Sequence, residues 1–385
     1  MKVAFRTVWF QIPIFRGLGG SSMKKLTLGD VCKKESSNIA QKDIMECEGE
    51  YPIYGAGGFI KNVNFYQQEL PYIAVVKDGA GIGRTMLLPA YSSVIGTMQY
   101  ILPIDYESID LQYLYYAIVH MDLGKYFSGA TIPHIYFKDY KKEKLFLPEI
   151  CEQQRISLLL KQVDLMIEKQ NNQVELVDKL VQSRFVELFV GKNYDIVKAG
   201  SIIKEMRNGV SPSTSGGHFE KVLTLSAITQ GKFDDKAWKE GFFTDCPSTE
   251  KRITEDDFYI CRGNGNKSLV GMGVYALGNR PDLVFPDTVI AAHIDTERMV
   301  LPYLWIMWQQ PEVRKQLESG ARTTNGTYKI NQKVISKIKI ICPPINEQEV
   351  FADFIKQVDK SKSVIQKSLD ELEILKKSLM QKYFG

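Results

Sequence analysis

The sequence predicts an α+β protein that contains two similar globular domains in tandem, each followed by one long helix. Three observations predict this fold class. A short motif occurs twice in the 385 residues, at a separation of 195. Each copy opens a stretch of regularly spaced apolar residues. The regions between these stretches are rich in short β-type segments bounded by Gly, Pro or Asp.

The repeat sets the domain boundaries. Residues 148–154 resemble residues 343–349, and Lys-Gln-Val-Asp follows in both copies, at 161–164 and at 356–359. A weaker match opens each half, because residues 28–31 resemble residues 199–202. An internal repeat with an approximate two-fold relation is therefore expected. The predicted segments are an N-terminal extension that is disordered or a remnant of cloning (1–22), a first domain (23–150), a first helix (151–191), a second domain (192–345) and a second helix (346–385).

The two predicted helices carry a coiled-coil seam. Alternate steps of four and three residues from Ile156, and again from Phe351, each meet eight apolar residues in ten positions. Neither stretch contains Pro or Gly, and about 39 residues would form a rod of roughly 58 Å. The alternative is two unrelated helices in separate bundles. The predicted seam residues are Leu160, Val163, Ile167, Val174, Val177, Val181, Ile355, Val358, Ile365, Leu369, Leu372 and Leu379.

The middle of each half alternates between strand and helix patterns. Helices are predicted at residues 111–120 and 303–317. The predicted strands are short and β-branched or aromatic, at residues 72–76, 86–88, 144–147, 221–225, 257–261, 283–285 and 337–341.

Composition narrows the class of protein. Hydrophobic residues make up 44% and charged residues 24% of the chain, as in ordinary globular domains. The six cysteines include no pair at Cys-x-x-Cys spacing, and no apolar run approaches the ~18 residues of a membrane span. A cytoplasmic protein without disulfides or membrane contact is expected.

Catalytic and metal-binding patterns do not emerge. The four histidines lack metal-site spacing, so no metal ligands are predicted. The glycine-rich segments 79–83 and 263–268 match neither phosphate-loop pattern, which favours simple turns. Pro281-Asp282 and Glu297 lack the lysine of a metal-dependent nuclease, and no Asn-Pro-Pro-Tyr-like tetrad for amino methylation occurs. No catalytic residues are predicted.

Local charge suggests nucleic-acid contacts. The net charge is −2 over residues 23–150 and +4 over 191–345, so binding by the first domain requires local clusters of bases. Basic, amide and aromatic residues on loops are the groups that contact phosphates and base edges. The predicted DNA-binding residues are Lys77, Arg84, Tyr136, Lys138, Lys141, Arg262, Asn264, Lys267, Arg322, Asn325, Tyr328 and Lys329.

The order and duplication of these features resemble the specificity subunits of type I restriction-modification enzymes, over residues 23–385. The motifs that carry the resemblance are the proline-led entries at 147–154 and 343–348, the two Lys-Gln-Val-Asp segments, Ser128-Gly-Ala130 with Ser319-Gly-Ala321, and Lys77-Asp-Gly79 with Arg262-Gly263. The slightly acidic first domain departs from the basic face expected of a DNA reader.

The resemblance implies two target recognition domains, each reading half of a split, asymmetric double-stranded DNA sequence. The two helices would pair antiparallel as a spacer. Two adenine-N6 methyltransferase subunits and the restriction/translocase subunits would be partners, and would carry S-adenosylmethionine, ATP and Mg²⁺. This chain would be non-catalytic and hold no cofactor. A structural adaptor that binds only proteins is the alternative reading, and a standalone nuclease is a more remote one.

Overall fold

The computed structural model describes residues 24–129, 133–213, 216–324 and 326–385. The predicted extension at 1–22, Ala130 and Asn325 lie outside the described residues. The described chain divides into two compact units, residues 1–171 with 367–385 and residues 172–366. Each long helix therefore contributes one half to each unit.

The first half of the chain contains nine strands and four helices among its described residues. The strands are β1 (Lys24–Thr27), β2 (Cys32–Ser36), β3 (Tyr51–Gly55), β4 (Gly58–Val63), β5 (Tyr72–Val76), β6 (Thr85–Leu88), β7 (Ser93–Val94), β8 (Met98–Pro103) and β9 (Lys144–Leu147). The helices are α1 (Leu28–Val31), α2 (Leu111–Met121), α3 (Phe137–Tyr140) and α4 (Ile150–Phe189).

The second half contains thirteen described strands and five helices. The strands are β10 (Asp195–Lys198), β11 (Ile203–Asn208), β12 (His218–Leu223), β13 (Trp238–Phe243), β14 (Arg252–Ile253), β15 (Asp257–Cys261), β16 (Gly263–Asn264), β17 (Gly273–Tyr275), β18 (Arg280–Val284), β19 (Val289–Ile294), β20 (Arg322–Thr324), β21 (Thr327–Lys329) and β22 (Lys339–Cys342). The helices are α5 (Ser226–Thr229), α6 (Leu301–Trp308), α7 (Pro311–Gly320), α8 (Gln332–Ile335) and α9 (Ile345–Phe384).

Strand order repeats between the two domains. Four-stranded antiparallel sheets have the order β2-β8-β5-β6 in the first domain and β11-β19-β15-β17 in the second. The pairs β1-β9 and β10-β22 close the two domains, and β3-β7 and β12-β18 supply the parallel pairings. The α+β class and the internal repeat predicted from the sequence are therefore confirmed.

The prediction of one continuous helix at residues 303–317 was wrong, because the structure has two helices there. Helix α6 ends at Trp308 and helix α7 begins at Pro311. Proline has no backbone N–H and favours the first turn of a helix over its interior. The chain therefore breaks before Pro311, and both short helices pack into the core of the second unit.

The long helices α4 and α9 each span 40 residues and pair antiparallel. In the first unit, Asp164 and Lys376 form an ion pair at 2.6 Å. In the second unit, Lys362 Nζ lies 2.5 Å from Asp178 Oδ2. All twelve predicted seam residues are buried or half-buried, so the predicted coiled-coil pairing is confirmed.

Each helix also packs against a globular domain near its ends. In the second unit, the rings of Phe185 and Phe189 lie 5.5 and 5.0 Å from the ring of Tyr303. In the first unit, Met380 packs with Tyr113 in a buried apolar cluster. Phe185 and Met380 are 195 residues apart, so these contacts follow the repeat. They join each globular domain to the helix pair of its own unit.

Candidate nucleic-acid interface

A basic residue stands at the same point in both domains, where a buried central strand leaves the sheet. Lys77 follows β5, and its carbonyl accepts a hydrogen bond from Ile135 N at 2.9 Å. Arg262 follows β15, and its carbonyl accepts from Ile330 N at 2.8 Å. Ile135 and Ile330 are 195 residues apart. The fold thus places one cation equivalently in each domain.

Around Lys77 the first domain forms an open concavity of about 490 Å³, which we call the basic concavity. It contains four of the five DNA-binding residues predicted for this domain. Its lining residues are Lys34, Lys77, Asp78, Gln99, Ile135, Tyr136, Phe137, Lys138 and Lys141. An adjoining concavity of about 550 Å³ shares Lys34, Phe137 and Lys141 and adds Lys33 and Lys142. A domain with a net negative charge therefore concentrates lysines on one face.

The rim of the basic concavity presents an aromatic ring between charged groups. Tyr136 is 50% exposed, and the Lys138 ammonium lies 5.1 Å from its ring centroid. His134 stacks on the same ring, with a centroid distance of 6.4 Å and an interplanar angle of 28°. The Nδ1 atom of His134 lies 2.6 Å from Asp78 Oδ1. Lys77 Nζ is 3.8 Å from the same carboxylate group. Tyr136 therefore contacts both Lys138 and His134 at this rim.

One lining residue of the basic concavity, Gln99, is an uncharged buried amide that bonds to a tyrosine behind it. Gln99 is 2% exposed, and its Nε2 donates to the Tyr140 hydroxyl at 2.5 Å. Burial, followed by proximity to Cys32, raises the pKa of Tyr140 above its usual range. Tyr140 consequently stays protonated, and the positive charge of this surface comes from the lysines at its rim.

Arg84 lies elsewhere in the first domain. Its side chain is exposed, and Nη1 donates to the Ala56 carbonyl at 2.8 Å rather than lining the basic concavity. The nearby glycine-rich segment is the turn between β5 and β6, with positive φ at Gly79, Gly81 and Gly83. Glycine suits these left-handed positions because it lacks Cβ, as the turn interpretation predicted.

In the second domain, three short strands bring most of the predicted residues together; we call this sheet, in the order β16-β21-β20, the recognition ladder. Asn264 pairs with Tyr328, and Lys329 pairs with Arg322 across the next strand. Arg322 and Lys329 are exposed, while Asn264 and Tyr328 are half-buried. The ladder therefore combines two cations, an amide and a phenol within one small sheet.

The remaining second-domain residues flank the recognition ladder. Arg262 is half-buried, and its Nη1 donates to the Asp287 carbonyl at 3.1 Å. Lys267 is exposed at the start of a 3₁₀ turn (Lys267–Leu269), which Asn266 caps by accepting from Ser268 N at 3.0 Å. Burial raises the pKa of the adjacent Cys261 to about 12, so its thiol is neutral near pH 7.

Two residues of this surface were missed by the sequence analysis. Lys34 comes from β2, more than forty residues before Lys77, and reaches the basic concavity only because β2 and β5 flank β8 in one sheet. His134 joins Asp78 through an isolated β-bridge. The equivalent bridge in the second domain is part of the recognition ladder, so the repeat itself was the signal that could have revealed His134.

Among residues 24–129, 133–213, 216–324 and 326–385, no group of three or more His, Cys, Asp or Glu side chains is arranged to hold a metal ion. Within the same ranges, no helix combines the length and apolar character needed to cross a bilayer.

Comparison with known proteins identifies a match over more than half of the chain. The family described as "Type I restriction modification DNA specificity domain" matches residues 20–176 and 303–374. The MjaVIII specificity subunit of a type I restriction enzyme from Methanocaldococcus jannaschii is 22% identical over 338 residues, which cover 80% of this chain and 77% of that protein. The StySPI specificity subunit from Salmonella potsdam is 24% identical over 136 residues, 34% of this chain and 29% of that protein.

Two solved structures share the fold. The type I restriction-modification S subunit from M. genitalium has a TM-score of 0.57 at 16% identity, covering 96% of this chain and 98% of that chain. A second structure was described under complex assembly and conformational transition of the type I R-M system. It has a TM-score of 0.56 at 15% identity, with coverage of 95% and 99%.

Proposed function

Because this chain belongs to the type I restriction-modification DNA specificity family, we propose that each globular domain reads one half of a bipartite, asymmetric target in double-stranded DNA. The observation that carries this proposal is the equivalent placement of Lys77 and Arg262 in the two domains. A chain with two related binding faces suits a target with two separate halves.

In the first domain, the basic concavity contacts the DNA backbone. Lys34, Lys77, Lys138 and Lys141 supply the ammonium groups that neutralise phosphates and release counterions. Tyr136, exposed between them, packs on a sugar or an apolar base edge. This assignment accounts for DNA binding by a domain whose total charge is negative, because the lysines are concentrated on one face.

In the second domain, the recognition ladder and Arg262 read bases. Arginine donates two parallel hydrogen bonds to guanine, and asparagine pairs in the same way with adenine. Arg262, Asn264 and Arg322 are therefore the candidate base readers, while Lys267 and Lys329 hold phosphates. Arg84 of the first domain and Asn325 of the second were also predicted to bind DNA, and both remain candidate DNA-binding residues.

The helices α4 and α9 act as the spacer between half-sites and as the docking surface for methyltransferase subunits. The internal repeat provides two related docking surfaces, which supports binding of two copies of one subunit. Restriction/translocase subunits join this assembly in the cytoplasm. Adenine methylation and DNA cleavage belong to the partners, with S-adenosylmethionine, ATP and Mg²⁺, and this chain supplies the DNA sequence preference.

Methylome sequencing of the host tests the proposal. We expect a bipartite adenine-methylated motif in wild-type cells, its loss when this gene is deleted, and its return when the gene is restored. An unchanged methylome after deletion would contradict the proposal. A purified chain whose DNA affinity is independent of salt would instead support the protein-only adaptor, because phosphate contacts always produce a salt dependence.

A further inference from the structure

Each long helix begins with a buried glutamine in its first turn. Gln153 on α4 is 1% exposed and Gln348 on α9 is 0% exposed, and they are 195 residues apart. Buried amides are costly unless their polar atoms are hydrogen-bonded. A buried glutamine at both equivalent positions therefore calls for a specific role.

In the first unit, Gln153 joins the helix to the loop that precedes α2. Its Nε2 donates to the carbonyls of Ser108 at 2.9 Å and Pro148 at 2.8 Å. Its Oε1 accepts from the backbone N–H of Asp110 at 2.9 Å. Asp110 is also the N-cap of α2 and accepts from Ser157 Oγ at 2.5 Å, which adds a second link to α4.

In the second unit, Gln348 makes the same three bonds. Its Nε2 donates to the carbonyls of Arg298 at 3.1 Å and Pro343 at 2.8 Å, and its Oε1 accepts from Val300 N at 3.0 Å. Val300 is the N-cap residue of α6, as Asp110 is of α2. We call each set of three bonds a glutamine clamp.

Each clamp bonds only to backbone groups of the protein, so it depends on position and not on the neighbouring side chains. It ties three points of one domain together: the end of the last strand, the start of the long helix and the start of the domain's own helix. Both N–H groups and the oxygen of the amide are used. Rotation of a domain on its helix would break the two bonds that reach the loop before the domain's own helix.

We propose that Gln153 and Gln348 are positioning residues that fix the orientation of each recognition domain on its own spacer helix and thereby restrict the DNA gap length that the subunit accepts. This inference rests on the proposed function. One added base pair moves a half-site by about 3.4 Å and turns it by about 35° around the DNA axis. A rigid joint at each helix start rejects such a displacement, and a loosened joint tolerates it.

The test replaces both glutamines with methionine, which has a similar length but cannot form the three bonds. The full chain is expressed with its methyltransferase partners in a host lacking the gene, and the gap lengths of all methylated sites are counted. Wild type should modify one gap length. In the double variant Gln153→Met/Gln348→Met, modification at gaps one base pair shorter or longer should rise about tenfold, equivalent to about 1.4 kcal/mol of lost discrimination. The bases of both half-sites should not change.

Matched controls separate this effect from general destabilisation. Ile53 and Val222 are fully buried in apolar clusters formed by residues of their own domains, away from both clamps. Ile53→Ala and Val222→Ala should lower protein abundance and keep the single gap length.

Three results would overturn the inference: an unchanged gap length in the methionine variants, altered half-site bases, or equal broadening in the alanine controls. Each single methionine variant carries the same expectation at smaller size, so it decides the matter if the double variant does not accumulate. A wild-type chain that supports no bipartite methylation would overturn the proposed function and this inference together.

Discussion

Removing the lysines of the basic concavity should change how DNA affinity depends on salt. The perturbation is the simultaneous change of Lys34, Lys77, Lys138 and Lys141 to alanine. These four line one surface, and each ammonium that neutralises a phosphate contributes about 0.9 to the slope of log affinity against log salt. The slope of the variant should therefore be smaller in magnitude by about 3.6 if all four lysines contact phosphates. The difference is about 2.7 if Asp78, at 3.8 Å, neutralises Lys77.

The assay is fluorescence anisotropy with a labelled duplex that contains the methylated motif, titrated with the full chain between 50 and 200 mM salt. The wild type should lose more affinity than the variant as salt rises. The ratio of their affinities should therefore fall by roughly 100-fold between 50 and 200 mM salt, which is this fourfold change raised to the power of the difference between the two slopes. The matched control carries alanine at four exposed lysines of the long helices, Lys169, Lys360, Lys367 and Lys377. This control loses the same charge and should keep the wild-type slope. Equal slopes for the wild type and the concavity variant would refute the assignment of this surface to phosphate contacts.

Three other predictions concern the second domain, the core of the second unit and the pairing of the long helices. Arg262→Ala should relax one position of the second half-site at a cost of about 1–3 kcal/mol, visible as degeneracy in the methylated motif; unchanged preference would remove it from the base readers. Phe185→Ala should lower the free energy of unfolding in urea by about 3–5 kcal/mol, because a fully buried ring is lost, whereas the half-exposed Phe219→Ala should cost far less. A fragment of residues 23–191 should dimerise, with Phe185 of one copy taking the place of its repeat equivalent Met380, and should direct methylation of a palindrome; a monomer at micromolar concentration in light scattering would contradict this.

The repeat, the strand-rich domains and the seam were predictable from the sequence. The repeat shows as the same residue order in two places, and the strands and the seam show as regular spacing of apolar residues. The prediction of the seam was less accurate toward the end of the first helix. Steps of four and three from Ile156 reach position 184 after Val181, yet the fully buried residue there is Phe185. A straight α-helix drifts by about 20° per heptad relative to a 3.5-residue repeat. Between Leu160 and Phe185 that drift reaches roughly 70°, close to the 100° that separates successive residues.

The candidate site was only partly predictable for a different reason. Lys138 and Lys141 were found because they lie close together in sequence, next to Tyr136. Lys34 joins them through strand pairing between distant segments, which spacing along the chain does not reveal. The glutamines of the two clamps were visible inside the repeated motif. Their role depends on backbone groups of a distant loop, which in the first domain are the Ser108 carbonyl and the Asp110 N–H, some 45 residues earlier.

The central claim is that each domain reads its own half-site independently. Exchanging residues 192–345 for the equivalent domain of a relative with a known, different target tests this claim most directly, with methylome sequencing as the measurement. We expect a new second half-site, an unchanged first half-site and an unchanged gap. Simultaneous change of both half-sites in a stable, active chimera would contradict it.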